Sequence, residues 1–127
     1  MAFFEIDKGD TYEWQVSIEE PTSEGHKVES FTAVLNRLSQ PRIDEINEQI
    51  RQRMIATRAG NSVDGMIDDM QIADEVFAGW VRGITRNGEP VEYHSSLKDK
   101  LIKRPFFAAA VVRAWGESLA GGRKKTS

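Results

Sequence analysis

The sequence predicts an α+β domain, predominantly α-helical, in which an N-terminal antiparallel β-hairpin leads into a compact bundle of about four helices. Three observations predict it. The stretch "TYEWQVSIEEP" alternates apolar and polar residues, four later stretches space their apolar residues as helices do, and the turn dipeptide Asn87-Gly88 separates the helical halves. At 127 residues, 39% hydrophobic and 29% charged, the chain has a folded protein's balance and the length of one domain. One globular unit is expected over residues 1–122, with 123–127 as a flexible basic tail.

The hairpin is placed at about 11–35. Tyr12, Trp14, Val16 and Ile18 share one face of the first strand, and Thr11, Glu13, Gln15, Ser17 and Glu19 the other. Pro21, Thr22, Ser23 and Gly25 supply turn chemistry for a loop of several residues, after which "HKVESFTAVL" returns as the second strand. At "RLSQPRIDEINEQIRQRMIATRAG" the period changes to 3.6, with Ile43, Ile46, Ile50 and Met54 in line. Ser39 or Gln40 precedes Pro41, which suits a first helical position, and Gly60 suits the end. Asp44, Glu45 and Glu48 lie early and Arg51, Arg53 and Arg58 late, matching the helix dipole over about 41–59.

A second helix is expected over about 63–82, capped by Ser62 or Asp64. Met66, Met70, Ala73, Phe77, Trp80 and Ile84 form its apolar stripe, and Asp68, Asp69, Asp74 and Glu75 its wet side. After Asn87-Gly88, Ser95 or Ser96 caps a short helix over about 96–103 with Leu97, Leu101 and Ile102 inward. Pro105 closes it and opens the last helix, 105–120. There Phe106, Ala109, Val112 or Arg113, Gly116 and Leu119 follow one line, with Phe107, Ala110, Val111, Ala114 and Trp115 around it. Only Arg113 and Glu117 are charged, so a central position is expected.

Composition narrows the function classes. Seventeen Lys and Arg against twenty Asp and Glu leave a net charge of -3, so nucleic acid is a poor partner and a membrane surface is not indicated. The absence of cysteine excludes disulfides and thiolate chemistry, and the cytosol is the natural compartment. The apolar run in "MAFFEIDKGD" is too short for a signal peptide, and no stretch approaches the ~20 apolar residues of a membrane span.

Little in the sequence points to catalysis. His26 and His94 sit among polar residues and read as surface histidines. Asp64, Asp68 and Asp69 lack the alternating oxygen ligands and closing Glu of a calcium loop, and read as a solvated face. "LKDKLIKR" concentrates Lys98, Lys100, Lys103 and Arg104 but is short, as a solvated helix face would be. No enzyme, metal or cofactor is expected. Core packing is the default for Trp80, Phe106, Phe107 and Trp115, yet aromatic anchors dominate interfaces. With Met66 and Met70, whose side chains repack readily, these four aromatics are the candidate partner-binding residues.

The order of these elements resembles the tail assembly chaperones of long-tailed, siphovirus-type bacteriophages. The likeness covers roughly residues 28–127. It begins with "FTAVLNRLSQPRIDEI" and is most specific in the second half. There an acidic-apolar helix ends in a Trp, Trp80 of "GWVRGI", and an Asn-Gly turn follows. A leucine-bearing helix comes after a polar cap, then Arg104-Pro105, an aromatic-alanine helix, and Gly121-Gly122 with the basic residues Arg123, Lys124 and Lys125. The family often carries more acidic residues after the Trp, where this chain has Arg82 and Arg86.

The resemblance implies a chaperone of tail morphogenesis. Such a protein would bind the tape measure protein, keep it soluble and bring tail tube subunits to it, in the cytoplasm of the infected bacterium and outside the mature virion. Self-association is a further candidate interaction, which the resemblance leaves open. The resemblance also implies a longer product made by a backward ribosomal slip near codons 120–127, where Lys124-Lys125 can be written as a run of adenines. Gly121-Gly122 would then hinge a second domain to the first. The alternatives are a small structural virion protein, such as a head-tail connector or tail terminator subunit, and a helical DNA-binding regulator.

Overall fold

A computed structural model describes residues 3, 4, 6 and 9–121. Strands β1 (Thr11–Thr22) and β2 (Gly25–Asn36) form an antiparallel hairpin in the register Val16↔Phe31 and Trp14↔Ala33. Its inward set is the one the alternation predicts, with Val16 and Ile18 buried opposite Phe31, Ala33 and Leu35. The loop is shorter than expected. Pro21 and Thr22 stay in β1, paired with His26 and Gly25, and only Ser23 and Glu24 connect the strands.

Proline survives there because β1 is the sheet's edge. The Arg37 N–H donates to the Asp10 carbonyl at 2.7 Å, beside the Thr11↔Asn36 pair. This phase points the backbone groups of odd-numbered β1 residues away from β2, so Pro21 costs no ladder bond. The hairpin also outruns the core, since every residue from Gly25 to Ser30 is exposed.

The expected helix over 63–82 does not form, and with it the expected helical bundle falls. Helix α2 spans only Asp69–Val76, and Phe77–Arg82 is a third strand, β3, antiparallel to β2. The described residues are roughly 41% helical and 29% strand, with a three-stranded sheet in the order β1-β2-β3 and four helices. The misleading signal has a physical source. Leu35 pairs with Phe77, Val34 with Gly79, Ala33 with Trp80 and Thr32 with Arg82, so Ala78 and Val81 are extra residues at two bulges. In a regular strand, residues three apart point to opposite faces. The bulge at Ala78 instead puts Phe77 and Trp80 on one face, reproducing a helical i,i+3 spacing in extended chain. The cap also moves: Asp68, not Ser62 or Asp64, accepts from the Gln71 N–H, and Gln71 answers with its side chain on the Asp68 N–H.

Helix α1 (Gln40–Arg58) starts as expected, with Ser39 capping the Arg42 N–H and Pro41 in the first turn. Asn87 and Gly88, both at positive φ, close a two-stranded ribbon of β4 (Thr85–Arg86) and β5 (Glu89–Pro90). Helix α3 (Ser95–Ile102) is capped by the His94 side chain rather than by Ser95 or Ser96. Helix α4 begins at Phe107, not Pro105, and runs to Leu119, because Phe106 takes φ +71° and cannot belong to a right-handed helix.

The core lies between the helices and one face of the sheet. Phe107 stacks on Phe31 at 5.4 Å, and Phe77 meets both edge-on at 5.6 and 6.1 Å. Ala108, Ala110 and Ala114 let α4 approach closely, with Val111 and Trp115 filling the space between them. The line through Phe106, Ala109, Arg113 and Gly116 is the wet side.

Candidate functional site

The six candidate contact residues divide by burial. Trp80, Phe107 and Trp115 are core residues. The Trp80 indole N–H donates to the Val91 carbonyl at 2.7 Å and its ring meets Tyr93 edge-on at 5.2 Å, so both its polar and apolar parts are occupied within the chain. Met66, Met70 and Phe106 are 37%, 46% and 50% exposed. Met66 lies in the 59–68 connection, Met70 on α2 and Phe106 at the start of α4, and Met70 and Phe106 line different clefts. Gly121 follows α4 at φ +65°, the left-handed conformation suited to a helix-ending glycine, while Gly122, Arg123, Lys124 and Lys125 lie outside the described residues.

A fourth surface residue completes the pattern. Met54, aligned in sequence with Ile43, Ile46 and Ile50, is 49% exposed. Every methionine among the described residues is therefore at the surface, where an aliphatic residue would repack less readily. Met54 lies in a cleft of ≈ 420 Å³ between α1 and α4, floored by Ile50, Met54 and Val112. A second groove, between α2 and α3, holds Met70 beside Ile102, Asp74 and Asp99.

The clasp that holds α1 in place is at its other end. The Arg42 guanidinium donates to both Glu75 oxygens at 2.7 Å and also engages Glu45, and the Asn36 amide donates to the Glu75 carbonyl at 2.8 Å. Hydrogen bonds from Arg42 hold the Glu75 carboxyl below the ordinary glutamate range. Because the folded carboxyl titrates lower than the unfolded one, the clasp contributes fully above the unfolded value and is lost as pH falls through the folded one. As pH falls below about 5, wild type should lose stability more steeply than Glu75→Gln, measured as urea midpoints across pH. Parallel slopes would remove the clasp from the acid response.

His94 and Asp68 have structural posts. His94 Nδ1 accepts from the Ser96 N–H, His26 is exposed on the projecting hairpin, and Asp68 caps α2. Lys98 of the basic stretch turns inward to donate to the Asp74 carbonyl at 3.0 Å. Among the described residues no group of three or more His, Asp or Glu side chains is placed to hold a metal ion, and no helix is long and apolar enough to cross a membrane.

Comparison with protein-family models, curated proteins and solved structures finds no match to this chain. Sequence reasoning missed the α1–α4 cleft, although its α1 wall, Ile50, Arg53, Met54, Thr57 and Arg58, follows the spacing of a single helix face. The signal available was the change along that stripe from isoleucine to arginine.

Proposed function

We propose that the protein is a tail assembly chaperone of a long-tailed bacteriophage. It binds the tape measure protein, keeps it soluble and recruits tail tube subunits, by reversible contacts and without covalent chemistry. It works in the cytoplasm of the infected bacterium, stays out of the finished virion, and is also made as a longer frameshifted product. The resemblance in the order of elements motivates the reading. The observation that supports it best is the exposure of Met54 on α1, Met66 in the 59–68 connection and Met70 on α2, side chains that repack readily against a long helical partner.

Co-expression tests it. With the tape measure protein encoded beside it, this chain should shift most of that partner from the pellet to the soluble fraction and co-purify with it. A partner equally insoluble with and without the chain would overturn the reading, as would recovery of the chain as a stable ring in purified virions. The frameshift has its own check in the codons for 120–127: a slippable run with an overlapping open frame is expected.

A further inference from the structure

We infer that the α1–α4 cleft is a docking site for an acidic amphipathic helix of a partner protein. Residues Ile43, Ile46 and Ile50 anchor the first half of α1 on the core. The same face continues as Arg53, Met54, Thr57 and Arg58, around the buried Ala56, and there the cleft opens against Val112 of α4. A stripe that faces a neighbouring element is normally apolar throughout. Here two guanidinium groups bracket an exposed methionine.

The charges select the occupant. Of the α1 arginines, Arg42 is held by Glu75 and Glu45, and Arg51 by Glu48. Arg53 and Arg58 have no ion pair among the described residues, although Asp69 stands at the α2 end of the same cleft. The helix dipole accounts for a cation in the last turn, such as Arg58, but not for Arg53 on the inward stripe. Two unpaired, forked cations beside an apolar floor suit carboxylates flanking apolar side chains, and they repel a basic helix.

Length sets the register. From Ile50 to Arg58 the α1 wall rises about 12 Å, enough to face just over two turns of a second helix. Two apolar anchors at i and i+4 on that helix would rest on Ile50, Met54 and Val112, with acids on the α1 side reaching Arg53 and Arg58. Resting on the reading of the chain as a reversible binder, the site asks for no particular partner, only this pattern.

The probe is a fluorescent synthetic helix of about 18 residues with leucines at i and i+4 flanked by glutamates, beside a twin in which each glutamate is lysine. By fluorescence anisotropy, wild type should bind the acidic helix at least about tenfold tighter than the basic one, with affinity falling as salt rises. Arg53→Glu/Arg58→Glu, its fold checked by thermal melt, should reverse the preference. Met54→Ser should weaken binding several-fold, while Ile55→Ser, at an exposed position outside the cleft, should not. No binding of the acidic helix, equal affinity for the two helices, or an unchanged preference in the double variant would each overturn the site. Rescue of the tape measure protein by the double variant, with its peptide preference reversed, would leave the chaperone reading standing and place that partner's contact elsewhere.

Discussion

Replacing Phe77 by alanine is expected to remove about 3–5 kcal/mol of stability, a large share of the total for a domain of this size. Phe77 is fully buried and joins three other rings: Phe31 and Phe107 edge-on, and Trp80 at 6.2 Å with the planes near parallel. Its loss would leave a void bounded by β2, β3 and α4, which the paired strands cannot collapse to fill. Thermal unfolding should fall by more than about 10 °C, with Phe77→Leu intermediate. Val81→Ala is the informative companion. In a helix over 63–82, Val81 would sit one turn from Phe77 and share its burial. In β3 it is the extra residue of a bulge and 47% exposed, so its truncation should stay within about 0.5 kcal/mol. A large loss from Val81→Ala would contradict the strand.

Those two residues also show where the sequence was readable. The hairpin declared itself because Tyr12 to Ile18 alternate without interruption, and α1 because Ser39, Pro41 and Ile43 to Ile50 agree on one start and one face. Asn87-Gly88 specified its turn locally. Segment 77–82 did not, because the bulges at Ala78 and Val81 give it a spacing that belongs to helices, and only Gly79 and Gly83 hinted at extended backbone. Phe106 was misplaced for the opposite reason: its left-handed φ is imposed by tertiary context, with Phe107 drawn into the core beside it.

Exposure of the candidate contact residues was only partly legible. Met66 and Met70 were chosen and are exposed, but residue type alone could not separate them from the buried Trp80, Phe107 and Trp115. What decides burial is how α2, β3 and α4 pack on one another, and no single stripe encodes that.

Gly83→Ala should be the second severe lesion, and for a different reason. Gly83 follows β3 at φ +98°, and a Cβ there would lie 2.6 Å from Phe31 Cα and 2.7 Å from its Cβ. Conformational strain alone costs about 1–2 kcal/mol. The collision is with backbone, which cannot swing aside as a side chain does, and Phe31 is fixed further by its stack on Phe107. Forcing β3 away from β2 at this point should add about 1–3 kcal/mol. Gly65→Ala separates the two contributions, since Gly65 has φ +80° but open space around the added carbon, and it should show the strain alone. Gly79→Ala falls between, because its Cβ would meet the Tyr93 ring at 2.8 Å and that partly exposed ring can move. Urea midpoints of the three variants should therefore fall in the order Gly65, Gly79, Gly83, the last lowest. If Gly83→Ala proved no worse than Gly65→Ala, the close approach of β3 to Phe31 would be wrong, and with it the pairing that brings Phe77 and Trp80 to the same face.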